Sequence, residues 1–134
     1  VHPRTHKPLE TLDFRLPAHV SLIEPLGYLD MVRLVSSARA VATDSGGLQK
    51  EAYWLGVPCV TLRGETEWLE TVETGWNRVV GANTASITEA LAHFPVPAER
   101  PPVYGEPGAA ERCVRLLEQG GRRRRDPICG TPPE

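Results

Sequence analysis

The stretch between residues 38 and 62 constrains the fold most strongly, because strand-like and helix-like patterns alternate around two glycines. Ala38–Thr43 is short and largely apolar with a β-branched centre, as in a buried parallel strand. From Leu48 onward, apolar residues recur at helical spacing, and Gly56 predicts a left-handed cap that ends this helix. Val57–Leu62 predicts a second strand. Together they form a βαβ unit, which indicates an α/β fold with a parallel sheet.

The turn inside this unit is a candidate anion site. Such a turn lies at the carboxyl edge of the sheet, where the free N–H groups of the next helix bind anions. Gly46 and Gly47 allow the backbone to approach a phosphate, and Ser45 can cap the helix or donate its hydroxyl to a phosphate oxygen. Glu51, further along the helix, can accept hydrogen bonds from both hydroxyls of a ribose. These features indicate a nucleoside diphosphate, although a serine-capped helix of any α/β protein has the same spacing.

Further elements follow from periodicity and turn residues. The sequence predicts strands over His19–Glu24 and Trp76–Gly81. It predicts helices over Leu29–Ser37 and Trp68–Thr74, and two further helices that begin at Asn83 and at Gly108. The net charge is −2, and no apolar run approaches the length of a membrane span, so neither a nucleic-acid surface nor an embedded segment is indicated. Three cysteines without metal-ligand spacing indicate free thiols in a reducing cytoplasm and no metal site.

Four blocks of sequence follow one another along the chain: Thr43–Ala52, Gly56–Arg63, Thr66–Val72 and Gly75–Gly81. In this order they resemble the non-hydrolysing UDP-N-acetylglucosamine 2-epimerases, and the resemblance extends from His2 to about Leu117. It implies a two-domain glycosyltransferase-B-like fold, with the sugar nucleotide in the cleft between two Rossmann-like domains.

The length limits how much of that fold is here, since 134 residues make one small domain at most. We therefore interpret the chain as a fragment, or as part of a split or truncated gene, without its N-terminal domain. Residues 1–119 are predicted to form a partial C-terminal nucleotide-binding domain with a doubly wound, Rossmann-like parallel sheet. Residues 120–134, which include four consecutive arginines, are predicted to be a disordered basic tail.

The resemblance implies a reaction for the full-length parent, which would be an isomerase. The family interconverts UDP-N-acetylglucosamine and UDP-N-acetylmannosamine by eliminating UDP and adding it back. By resemblance, the acid/base carboxylates belong to the missing domain, so no catalytic residue is expected here. This chain would keep the UDP-binding part, with Ser45, Gly46 and Gly47 on phosphate and Glu51 on ribose. The implied ligands are UDP and a UDP-sugar, without a cofactor, and a homodimer of the full-length parent is an open alternative.

More peripheral site residues also come from the resemblance. The turn before the helix at Leu29 packs the uracil ring in the family, and Leu26, Tyr28 and Met31 are the matching positions; simple core packing explains them equally well. The histidine of the family's matching His-Pro block lies near the cleft and is tied to an effector copy of the substrate. His2 inherits that role, or is a solvated turn histidine.

The loop after the second strand carries charges with two open interpretations. Arg63 could offset phosphate charge and Glu67 could orient it, or the two could form an ion pair that fixes the loop. Trp68 stands where the family often has a cationic residue, which puts one phosphate contact in doubt. Other classes also remain open: the nucleotide-sugar-binding domain of a glycosyltransferase, a non-catalytic UDP-binding subunit and a gene remnant.

Overall fold

The structure is a computed structural model, and it describes residues 11, 16–105 and 108–121. The chain forms two compact units that divide after Arg100. The first contains helix α1 (Tyr28–Ser36), strand β1 (Val41–Thr43), helix α2 (Gly46–Leu55), strand β2 (Cys59–Thr61), helix α3 (Leu69–Glu73), strand β3 (Asn77–Val79) and helix α4 (Thr84–Ala92). The second contains helix α5 (Ala109–Gly121). These five helices and three strands all lie near bounds that the sequence predicted.

The three strands form one parallel sheet in the order β1-β2-β3. Thr43, Thr61 and Val79 lie side by side, so the strands end at a common carboxyl edge. All three residues of the central strand β2 are buried, as expected of a strand covered on both faces. The predicted α/β class with a parallel sheet is confirmed.

Helices cover both faces of this sheet. On one face, Cys59 packs in a core cluster with Val35 of α1 and Ala52 of α2. Val60 points to the opposite face because side chains alternate along a strand. Its register partner Arg78 lies over the ring of Phe94, just beyond α4, with 5.6 Å between the guanidinium carbon and the ring centroid. Burial raises the pKa of the Cys59 thiol to about 11, so the thiol stays neutral within this core.

The end of α2 is stabilised by backbone geometry and by a cation. Gly56 has φ +70°, which confirms the predicted left-handed cap. Arg100 donates from Nη1 to the carbonyl of Tyr53 at 2.8 Å and also to the carbonyl of Trp54. A guanidinium at this end is favourable because the last carbonyls of a helix carry partial negative charge.

The strand predicted over His19–Glu24 was wrong. The backbone forms a turn in which the N–H of Val20 donates to the carbonyl of Pro17 at 2.9 Å, and no strand follows before α1. A strand needs a neighbour to pair with, and among the described residues β1 pairs only with β2. Leu22 and Ile23 therefore remain about half exposed despite their apolar pattern.

Two predictions lie partly or wholly outside the described residues. Helix α5 continues to Gly121, two residues into the predicted tail, and residues 122–134 are not among those described. His2 also lies outside the described ranges. Among the helices that are described, none is long and apolar enough to cross a membrane.

Candidate functional site

The candidate site lies at the carboxyl edge of the sheet, where the loops after β1 and β2 run next to each other. The N–H of Leu62 donates to the carbonyl of Thr43 at 2.9 Å, which holds the ends of the two strands together. One loop contains Asp44 and Ser45 and leads into α2; the other runs from residue 62 to residue 68 and leads into α3. Ligands of open α/β folds bind at this edge.

The first turn of α2 presents backbone donors at this edge. Ser45 is the N-cap, and its hydroxyl accepts from the N–H of Leu48 at 3.5 Å. The helix begins at Gly46, two residues before the predicted start, because the cap is Ser45. Gly46 and Gly47 thus belong to the first turn, where N–H groups have no partner within the helix. The long cap bond leaves the exposed Ser45 hydroxyl able to bind a ligand.

Gly46 lies directly against the loop that follows β2. A Cβ at this position would stand 3.3 Å from Nε1 of Trp68 and 3.7 Å from Oε2 of Glu67. A larger residue would need the Trp68 indole to shift by a few tenths of an ångström, so the close approach favours glycine. Gly47 is more open, since the nearest atom to its would-be Cβ is Oγ of Ser45 at 3.9 Å.

The same face of α2 carries a cation that the sequence reasoning missed. The ammonium of Lys50 lies 4.6 Å from the ring centroid of Trp68 and 5.2 Å from that of Trp54. Such contacts are attractive because the face of an indole is electron-rich. Gly46, Lys50 and Trp54 share one helix face at four-residue spacing, which was the available signal. The contact of Lys50 with Trp68 depends on tertiary packing, so no local sequence pattern predicts it.

Arg63 and Glu67 form the ion pair that the sequence left as one of two interpretations. Nη1 of Arg63 lies 3.2 Å from both carboxylate oxygens of Glu67. A hydrogen bond from its own backbone N–H, and then the Arg63 guanidinium, lower the pKa of Glu67 below its ordinary value of 4.5. The pair holds the guanidinium against Glu67, whose carboxylate lies beside Gly46 in the first turn of α2. Phosphate binding by Arg63 stays a prediction.

The remaining predicted ligand residues lie on α1 and α2. Glu51 is half-buried on α2 and shares a helix face with Gly47, four residues earlier. Leu26 and Tyr28 are exposed, whereas Met31 packs partly against the core cluster. Met31 is thus more buried than the other two, and a uracil site formed by all three stays a prediction. Within the described ranges, no group of three or more His, Cys, Asp or Glu side chains could hold a metal ion.

A parallel sheet with helices on both faces and an open helix N-terminus at its carboxyl edge defines a Rossmann-like α/β fold. The chain belongs to the UDP-N-acetylglucosamine 2-epimerase family, because the family's sequence model matches residues 1–118.

Individual relatives agree with this assignment. A "UDP-N-acetylglucosamine 2-epimerase homolog" of Methanococcus maripaludis is 46% identical over 124 residues, covering 87% of this chain and 34% of that protein. The UDP-2,3-diacetamido-2,3-dideoxy-D-glucuronate 2-epimerase of Pseudomonas aeruginosa is 48% identical over 90 residues, covering 67% of this chain and 25% of that protein.

A solved structure provides the same comparison in three dimensions. The UDP-N-acetylglucosamine 2-epimerase of Methanocaldococcus jannaschii in complex with UDP-N-acetylglucosamine and UDP matches with a TM-score of 0.77 and 39% identity, covering 89% of this chain and 34% of that chain. The structural likenesses confirm the predicted fold class, part of a glycosyltransferase-B-like protein. The chain spans from a quarter to about a third of the length of these three relatives.

Proposed function

We propose that this chain supplies the UDP-binding part of a UDP-N-acetylglucosamine 2-epimerase. The proposal rests on the first turn of α2, which offers the Ser45 hydroxyl and the N–H groups of two glycines. This turn lies beside the loop after β2, which carries Arg63. A relative with 39% identity is known in complex with UDP-N-acetylglucosamine and UDP, which supports UDP as the ligand.

Each predicted ligand residue has a proposed role. Ser45, Gly46 and Gly47 bind phosphate oxygens, and Glu51 accepts hydrogen bonds from the ribose hydroxyls. Arg63 offsets the charge of the diphosphate, with Glu67 fixing the guanidinium. The uracil ring packs near the start of α1, at Leu26, Tyr28 and Met31.

These roles suit the reaction that the resemblance implies. Elimination breaks the bond between the anomeric carbon and UDP, and the departing diphosphate carries negative charge. Backbone N–H groups and a guanidinium in fixed positions stabilise such charge as it develops. The carboxylates that remove and return the C2 proton come from the rest of the longer protein. Among the described residues, Cys59 and Cys113 are free thiols, which supports the proposal that the protein acts in the reducing cytoplasm.

A second sugar is a specific alternative. The Pseudomonas aeruginosa relative, 48% identical over 90 residues, is a UDP-2,3-diacetamido-2,3-dideoxy-D-glucuronate 2-epimerase. The proposed UDP contacts are common to both substrates, and the sugar-binding residues would distinguish them. Both nucleotide sugars should therefore be compared as ligands.

The proposal predicts that the chain binds UDP and that Glu51→Ala weakens this binding. Loss of hydrogen bonds to a carboxylate should raise the dissociation constant by about 10- to 100-fold. Titration calorimetry measures the constant, and Glu73→Ala, which removes an exposed carboxylate from α3, is the matched control. Equal affinities for Glu51→Ala and Glu73→Ala would remove Glu51 from the site, and a folded wild-type chain that ignores UDP would overturn the proposal.

A further inference from the structure

A network of polar side chains, four of them buried and Thr66 half-buried, lies beneath the two loops of the candidate site. It connects α2, β2, the loop after β2, α3 and β3. Its members are Gln49, Thr61, Thr66, Thr71 and Asn77. Gln49, Thr61 and Thr71 have exposed fractions of 0%, and Asn77 has 2%. The interior is therefore polar at this point, whereas the core cluster around Cys59 is apolar.

Asn77 is the centre of the network. Thr61 donates from Oγ1 to Oδ1 of Asn77 at 2.7 Å. Nδ2 of Asn77 donates to Oγ1 of Thr71 at 3.0 Å and to Oε1 of Gln49 at 3.3 Å. The Thr71 hydroxyl in turn donates to the carbonyl of Trp68 at 2.7 Å. The sheet thus fixes the start of α3 and the end of the preceding loop.

Thr66 connects this network to the loop itself. Its hydroxyl donates to Oε1 of Gln49 at 2.6 Å and accepts from the N–H of Trp68 at 3.1 Å. Gln49 closes the first turn of α2, since its N–H donates to the carbonyl of Ser45 at 3.1 Å. The Thr66 hydroxyl therefore joins the first turn of α2 to the loop after β2. The next two residues of that loop, Glu67 and Trp68, have side-chain atoms within 4 Å of where a Cβ of Gly46 would lie.

Stability alone explains such a network poorly. Buried polar groups cost free energy unless they are hydrogen-bonded, and apolar side chains of similar volume would avoid that cost. Nε2 of Gln49 has no hydrogen-bond partner among the residues that the structure describes, so the network is incompletely satisfied there. Polar networks specify one geometry, because each hydrogen bond fixes distance and direction.

We propose that Thr66, held by Gln49, is a positioning residue for the diphosphate. Thr66 sets the distance between α2 and the loop that carries Arg63. At that distance, the guanidinium and the N–H groups of the helix bind the same diphosphate. This inference rests on the proposed function, because it assumes that UDP binds at the N-terminus of α2. Thr66 acts through the loop and makes no contact with the nucleoside.

The test compares two substitutions of Thr66 by their affinities for UDP and for uridine, measured by amide shifts on the full 134-residue chain. Thr66→Val keeps the shape and removes the hydroxyl, so the dissociation constant for UDP should rise about tenfold while that for uridine stays unchanged. Thr66→Ser keeps the hydroxyl and should bind UDP within about twofold of wild type. Thr88→Val is the matched control, since the Thr88 hydroxyl donates to the carbonyl of Thr84 on α4, outside the network.

The outcomes separate this inference from the proposed function. A wild-type chain that binds no UDP overturns both. Wild-type binding with an unchanged UDP affinity in Thr66→Val, or with UDP and uridine weakened equally, overturns the positioning role alone. If Thr66→Val does not fold, Gln49→Met decides, because it removes the acceptor of Thr66 together with the buried Nε2. A selective loss of UDP affinity in Gln49→Met supports the inference, and equal losses overturn it.

Discussion

Glu67 shows how single side chains set the charge of the candidate site. Its carboxylate lies near the first turn of α2, where negative charge is favourable, and it also pairs with Arg63 at 3.2 Å. A diphosphate would meet this carboxylate as well as the guanidinium. The pair therefore fixes the position of Arg63 while reducing the net positive charge of the loop.

We expect Glu67 to titrate below 4.5 in the folded chain, because its backbone N–H and Arg63 both favour the ionised form. The folded pKa is lowered, so any stabilisation from the pair is complete above the unfolded pKa and is lost as the pH falls through the folded one. Side-chain carboxyl shifts measured by NMR against pH test this. Arg63→Gln should raise the midpoint; a midpoint at or above 4.5 in the wild type would contradict the account.

At the scale of elements, α2 and α4 begin with polar caps of different quality. Oγ of Ser45 accepts from the N–H of Leu48 at 3.5 Å, a long hydrogen bond. Oδ1 of Asn83 accepts from both the N–H and the hydroxyl of Ser86, at 2.9 and 3.1 Å. The shorter cap hydrogen bonds belong to α4, which has no proposed ligand. Asn83 should therefore matter more for stability, and Ser45 more for UDP binding.

Ser45→Ala should lower the free energy of unfolding by only about 0.5 kcal/mol, whereas Asn83→Ala should lower it by about 1 to 2 kcal/mol. The order should reverse for UDP, with Ser45→Ala raising the dissociation constant about tenfold and Asn83→Ala leaving it unchanged. Urea unfolding and calorimetry measure the two quantities. If Ser45→Ala bound UDP as well as Asn83→Ala does, Ser45 would be a purely structural cap.

Local signals explain which elements the sequence predicted. Helix α2 and Gly56 were found because helical periodicity and a glycine cap are properties of neighbouring residues. The prediction of a strand over His19–Glu24 was wrong because strand pairing depends on a partner that is distant in sequence. At the site, Ser45, Gly46 and Gly47 follow from the βαβ pattern. Thr66 and Gln49 did not, because their hydrogen bond joins residues seventeen positions apart.

For the whole molecule, UDP binding and epimerisation are expected to depend on different parts of the protein. The chain spans 34% of the relative known in complex with UDP-N-acetylglucosamine and UDP. The resemblance assigns the acid/base carboxylates to the other domain, so the chain alone should bind UDP without epimerising its sugar. Incubation with UDP-N-acetylglucosamine in deuterated water should leave the C2 proton in place; deuterium at C2 would contradict this division.

The most direct measurement is an amide shift map of the 134-residue chain during titration with UDP. It reports on each backbone N–H of the proposed phosphate site separately. Saturable shifts are expected to be centred on Ser45, Gly46, Gly47 and Leu48, with smaller shifts in the loop around Arg63. A well-dispersed spectrum that saturates elsewhere while these amides stay still, or that does not respond to UDP, would show that the first turn of α2 is not a UDP site.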